Sequence, residues 1–222
     1  MEKYIAILKK SPLFLDFDEP DIIKLCSCLA AREKTVEKDA FIIRAGDEIR
    51  YIYMILSGSM CIFDEDYWGN RTIIENMTQY TLFGEAYVLA DTEQHIVSVA
   101  AAEDSVILEI DPEKLFETCS NGCACHGKLI KNVACILSEK IVRLTEKLGF
   151  ISQRTMREKI LSYLSVYARR ERSAAFSIPY SRQQLADFLC VDRSALSHEL
   201  SRLKKSGLIR YSKNHFELMG RE

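Results

Sequence analysis

The stretch from Gly122 to Ile151 constrains the fold most, because it contains no proline and carries a regular heptad. Ile130, Leu137, Leu144 and Ile151 lie seven apart, and Ala134, Ile141 and Leu148 repeat at the complementary position, also seven apart. A 3/4 spacing held this long specifies one long helix with a continuous apolar seam. At 1.5 Å per residue that helix runs roughly 45 Å. Its seam suits an identical helix, so a parallel homodimer is expected; a helix buried inside one compact domain is the alternative. A second stripe, Leu129, Val133 and Ile136, faces aside and is expected to pack on the preceding segment.

That segment has the opposite periodicity. Between residues 35 and 111, short runs rich in β-branched and aromatic residues alternate with turn signals. They are Phe41–Ile43, Tyr51–Leu56, Cys61–Phe63, Thr72–Ile74, Val97–Ala100 and Val106–Ile110. Gly46, Gly58, Gly69 and Gly84 fall at the turns. This is the pattern of a small antiparallel barrel or jelly roll. Ahead of it, residues 20 to 32 read as an amphipathic helix with Ile22, Ile23, Leu25, Cys26 and Leu29 on its apolar face.

After the long helix the charge changes sign. The formal net charge is −2 over 222 residues. From Arg154 onward there are 14 Lys/Arg against seven Asp/Glu, or +7, which leaves 16 bases and 25 acids, or −9, before it. Such a division suggests that only the C-terminal part meets a polyanion. The same part holds two adjacent helix signatures. Ser181-Arg182-Gln183-Gln184 has the form of a capping box, followed by apolar Leu185, Phe188 and Leu189. Cys190-Val191 forms a short turn, Asp192 can cap a second helix from Arg193 to Ser206, and Gly207 stops it. Leu196, Leu200 and Leu203 point inward. Arg193, Ser194, Ser197, His198, Ser201 and Lys205 lie on the outer side, and Ala186 sits where the helices cross. Residues 208–211 and 215–218 read as the two strands of a wing. Before this pair, Met156 to Tyr167 reads as an amphipathic helix and Arg169 to Ser173 as a charged loop.

A short turn, a small residue at the crossing and a polar second helix describe a helix-turn-helix suited to a major groove. The chain resembles the Crp–Fnr family of bacterial transcription regulators, most specifically in residues 181–189 and 191–203, and in Leu82-Phe83-Gly84-Glu85. The resemblance implies an α+β chain in three parts. They are a β-barrel effector-sensing domain at 1–118 (a double-stranded β-helix, or jelly roll, of the cyclic-nucleotide-binding kind), a dimerisation helix at 119–151 and a winged helix-turn-helix DNA-binding domain at 152–222. It implies that Arg182 contacts phosphate and that Arg193, Ser194 and His198 face bases, with Ser197 and Arg202 beside them. The family often carries arginine where His198 stands. The expected partners are double-stranded DNA with a palindromic site, a second copy of the chain and, by resemblance, RNA polymerase.

The sensor departs from the nucleotide-binding members. These follow Gly-Glu, about nine residues on, with an Arg-Ser or Arg-Thr pair that holds the cyclic phosphate; here His95-Ile96 stands there. A buried phosphate without a guanidinium loses charge-assisted, often bidentate hydrogen bonds. Tight binding of cyclic AMP is therefore not expected. Another small effector, of unknown identity, is expected in a pocket bounded by Gly84, Glu85, His95, Leu144 and Thr145. The alternative is a cyclic-nucleotide-type sensor acting on a protein partner through the winged helix, or, given the eight cysteines, a redox or metal sensor acting on such a partner. Cys119, Cys123, Cys125 and His126 crowd the start of the long helix, but their spacing is loose for a metal centre. Fnr-like members place three cluster-binding thiolates near the N-terminus, where this chain has only Cys26 and Cys28, both inside a helical pattern. No catalytic triad, P-loop, dinucleotide fingerprint or HExxH occurs, so no enzyme is expected. The first residues carry neither a basic nor an apolar leader pattern, and no run reaches the roughly 18 apolar residues of a membrane span, so a cytoplasmic chain is expected.

Overall fold

The computed structural model describes residues 2–69, 71–90, 97–116 and 124–220, and divides them into two compact units, 1–137 and 138–222. The division falls inside the long helix α5 (Ala124–Ile151), whose first half belongs to one unit and second half to the other.

The first unit begins with α1 (Ile5–Leu8) and α2 (Glu19–Cys28). The α2 helix is started by Asp18, whose side chain accepts from the Asp21 amide, and Pro20 stands in its first turn, where a missing N–H costs nothing. Eight strands follow: β1 (Arg32–Val36), β2 (Phe41–Ile43), β3 (Ile52–Ser57), β4 (Met60–Glu65), β5 (Arg71–Met77), β6 (Leu82–Phe83), β7 (Ser98–Ala101) and β8 (Ser105–Ile110). They make two antiparallel sheets, ordered β1-β8-β3-β6 and β2-β7-β4-β5. Among the described residues, short helices α3 (Glu85–Leu89) and α4 (Pro112–Phe116) also precede α5.

Strand β3 shows why its sequence is apolar without alternation. Tyr53 and Ile55 enter the core between the sheets, with Met60, Phe83, Val99 and Ile107. Ile52, Met54 and Leu56 face the other way, into a core shared with Phe14, Ile22 and Leu25. Both faces are covered, so a near-continuous hydrophobic run is required. Leu129 and Val133 of α5 enter that second core with Ile136 against it, as their stripe predicts. Lys128 Nζ donates to the Asp16 carbonyl, and Asn132 Nδ2 to the carbonyls of Leu13 and Leu15 at 3.0 and 3.1 Å.

The second unit contains the end of α5, then α6 (Met156–Glu171), β9 (Ala175–Ser177), α7 (Arg182–Phe188), α8 (Arg193–Lys205), β10 (Ile209–Ser212) and β11 (His215–Leu218). Thr155 and Glu158 form a reciprocal capping box at the start of α6. The expected charged loop at 169–173 is instead mostly helix: Arg169 to Glu171 are its last turn, and Arg172 closes it in the left-handed region at φ +51. Basic residues in a last turn are favoured by the helix dipole, and a solvated end of a helix reads as a loop. Strand β9 was also unforeseen; it makes the wing a three-stranded sheet ordered β10-β11-β9. Phe150, Tyr163, Phe176, Tyr180 and Phe188 form an aromatic core, with Tyr180 and Phe188 at 5.0 Å and Phe150 and Tyr163 at 5.5 Å between ring centres. No described helix is long and apolar enough to cross a membrane.

Candidate nucleic-acid interface

The helix pair is fixed by local chemistry. Ser181 Oγ accepts from the Gln184 amide at 3.3 Å, while the Ser181 amide donates to Gln184 Oε1 at 2.8 Å. The α7 helix ends at Leu189. Cys190 then turns the chain in the left-handed region at φ +53, a conformation that usually favours Gly or Asn. The Val191 amide returns to the Ala186 carbonyl at 3.0 Å. Asp192 Oδ1 accepts from the Ala195 amide at 2.8 Å and starts α8. Ala186, Leu196, Leu200 and Leu203 are all fully buried. Ala186 is enclosed in the core of the second unit with Leu185, Leu196 and Leu200.

What remains outside on α8 is polar. Arg193, Ser194, His198, Ser201, Arg202, Lys204 and Lys205 are exposed, and Ser197 is half-buried. Glu199 is nearly buried and accepts from Arg202 Nη1 at 3.2 Å, so that acid offsets the inner edge of the helix rather than its outer face. Arg193, Ser194, Ser197, His198 and Arg202 thus lie along one helix, as expected.

Arg182 makes contacts that its position in the sequence did not suggest. Its guanidinium stacks over Tyr211 and Phe216 at 5.2 and 5.7 Å and donates to the Lys213 carbonyl at 3.1 Å. Burial lowers its pKa from the usual guanidinium range. Lys204 Nζ covers the same Tyr211 ring at 5.4 Å. Two cations from two helices therefore grip one tyrosine of the wing. The only sequence signal was Tyr211 facing Phe216 in register across the hairpin, a pair that stacks at 5.7 Å. At the wing tip, Lys213 sits in the left-handed region at φ +52 and Asn214 Nδ2 donates to the Ile178 carbonyl at 3.1 Å.

In the first unit, Gly84 adopts φ +82, where a side chain is strained, and a Cβ there would lie close, 3.1 Å from the Tyr51 carbonyl and 3.2 Å from Tyr53. Glu85 follows at the start of α3 and is buried. Tyr53 stacks on Phe83 at 5.0 Å, and burial pushes its hydroxyl up to about 12. Leu144 and Thr145 belong to the second unit and are exposed. His95, Cys119 and Cys123 lie outside the described residues. Cys26 is buried and its thiol is pushed up to about 11, which leaves it protonated and a poor metal ligand. Among the described residues no group of three or more His, Cys, Asp or Glu side chains is placed to hold a metal ion.

Residues 33–121 match the family model of the cyclic nucleotide-binding domain, and residues 158–222 match that of the Crp-like helix-turn-helix domain. The chain is 25% identical over 205 residues to the transcriptional activator protein Anr of Pseudomonas protegens, covering 89% of this chain and 80% of that one. It is 24% identical over 201 residues to the fumarate and nitrate reduction regulatory protein of Vibrio cholerae, covering 85% and 77%. Among solved structures, the catabolite activator protein of Thermus thermophilus is similar with TM-score 0.54 at 21% identity, covering 94% of both chains. The c-di-GMP responsive global regulator CLP of Xanthomonas campestris has TM-score 0.59 at 17% identity, covering 92% of this chain and all of that one.

Proposed function

On the premise that this chain belongs to the Crp–Fnr family of DNA-binding transcription regulators and is no enzyme, we propose that it is a homodimer. Two α8 helices then read a palindromic DNA site under the control of a small effector in the barrel. The observation that carries the reading is the outer face of α8: arginine, serine and histidine on a rigidly capped helix, within a 69-residue segment of net charge +7.

Arginine offers a fork for guanine O6 and N7, while serine and histidine make shorter contacts. Arg182 and the wing would follow the phosphates, which set register and supply most of the salt dependence. The second copy is supported by the heptad seam. Ile141, Leu144 and Leu148 are 64%, 62% and 61% exposed in the lone protomer, an apolar stripe that an identical helix would cover. Two half-sites about one helical turn apart, roughly 34 Å, must then be met together. An effector that biases the seam would change affinity by shifting a population.

For the effector, Gly84 and Glu85 mark the expected sensing site, and in the sequence His95-Ile96 takes the place of the Arg-Ser or Arg-Thr pair of nucleotide-binding members. Cyclic AMP is accordingly not its tight ligand; micromolar affinity in titration calorimetry would overturn that part. Action in the cytoplasm and contact with RNA polymerase complete the reading. It is tested by a mobility shift on genomic fragments: binding should fall steeply with salt, and salt-insensitive or undetectable binding would refute it.

A further inference from the structure

All three outward serines of α8 have already committed their hydroxyl protons. Ser194 Oγ donates to Asp192 Oδ1 at 2.5 Å, Ser197 Oγ to the Arg193 carbonyl at 2.9 Å, and Ser201 Oγ to the Ser197 carbonyl at 2.9 Å. A hydroxyl has one proton and two lone pairs. A carboxylate or a carbonyl has no proton to give back, so the direction of each bond is forced. What these serines can still offer a ligand is lone pairs.

Ser194 is the most firmly held. Its acceptor cannot swing away, because the same Asp192 oxygen accepts from the Ala195 amide at 2.8 Å and caps the helix. The Asp192 carboxyl is held below the usual carboxylate range, first by the Ser194 hydroxyl and then by the Ala195 amide. Asp192 is therefore ionised at neutral pH, and a hydroxyl bonded to a carboxylate makes a short, charge-assisted contact. Turning that proton toward DNA would give up this bond for a neutral one.

In the major groove only cytosine N4 and adenine N6 donate, whereas guanine and thymine present acceptors at O6, N7 and O4. We propose that Ser194 is an acceptor-only reader: it selects a base that turns an amino group toward it and rejects guanine O6 or thymine O4 at that point. Ser197 and Ser201 carry the same polarity. The donors on this face are Arg193, His198 and Lys205, while Arg202 spends one of its N–H groups on Glu199. Arg193 and Ser194, side by side, thus offer a donor fork and an acceptor. A G·C pair presents the matching pattern, acceptors on guanine and an amino group on cytosine. The inference rests on α8 lying in the major groove.

The test is selection of bound duplexes from a random-sequence pool at low salt, using the full chain as wild type and as S194A, D192S and R193A. Wild type should select cytosine or adenine, on the strand facing Ser194, at one position of each half-site. S194A should lose roughly tenfold discrimination at that position alone. D192S keeps a capping residue but removes the carboxylate, so it should admit guanine and thymine there. The proposal is overturned if S194A selects the same sites as wild type, if the position it loses was guanine or thymine on that strand, or if D192S keeps the wild-type preference. A wild type without sequence preference, or an R193A protein with unchanged sites, would instead sink the groove placement beneath it.

Discussion

Replacing Leu148 by alanine separates the seam from the fold. Leu148 is 61% exposed in the protomer. Fully burying a leucine stabilises by about 1.5–3 kcal/mol, so about 1–2 kcal/mol remains for a second helix to claim. A two-fold dimer removes two such side chains per substitution, or about 2–4 kcal/mol. At 1.4 kcal/mol per decade, the dimer dissociation constant should weaken by about 30- to 1,000-fold. The protomer itself loses almost nothing, because an exposed side chain contributes little to its own fold. Leu129→Ala is the contrasting control: Leu129 is wholly buried in the first unit, so it should cost about 2–5 kcal/mol of stability wherever the dimer equilibrium lies. Sedimentation equilibrium gives the dissociation constant, and thermal unfolding at high dilution gives protomer stability. An unchanged dissociation constant for Leu148→Ala, or a melting point that falls as far as that of Leu129→Ala, would refute the seam.

Three other outcomes follow from the packing. Ala186→Leu should destabilise the helix pair by about 1–3 kcal/mol through overpacking at the α7–α8 crossing, read as a lower melting temperature; an unshifted melt would show a looser crossing. Gly58→Ala places a Cβ 2.2 Å from Ser105 Oγ and 2.8 Å from the Asp104 carbonyl, at φ +83. Both the clash and the left-handed backbone should lower sensor stability by at least about 1 kcal/mol, measured by urea denaturation. On the alkaline side, Tyr53 and Cys26 are raised by burial to about 12 and about 11. Their neutral forms are favoured in the fold, so their stabilisation is intact below the unfolded values of about 10 and 8.5. It is lost progressively as pH rises through about 11 and 12. Denaturation midpoints that stay flat from pH 9 to 11.5 would contradict that burial.

The parts that were legible in the sequence are those set by local chemistry. Ser181, Asp192 and Gly207 each satisfy or end a helix within a few residues, so the α7–α8 pair was readable with its boundaries. The α5 heptad was readable for the same reason. Strand β1 was not, because Arg32-Glu33-Lys34-Thr35-Val36 buries only Val36; its place comes from pairing with β8, a partner some 70 residues away. Strand β9 contributes one buried side chain, Phe176, and likewise depends on its neighbour. At the candidate interface, the outward residues of α8 followed from helical spacing. The grip of Arg182 and Lys204 on Tyr211 did not, since it joins two helices to a hairpin through contacts that no periodicity records. The directions of the serine hydroxyl bonds were equally hidden, because they depend on side-chain geometry relative to the turn before.

The most direct test is a footprint of the full-length protein on duplex DNA recovered by selection. Two symmetric protected half-sites are expected, centred about one helical turn or roughly 34 Å apart, with one dimer bound per site and protection in both halves lost together in R193A. A single asymmetric half-site occupied by one protomer, or R193A protection indistinguishable from wild type, would contradict that expectation.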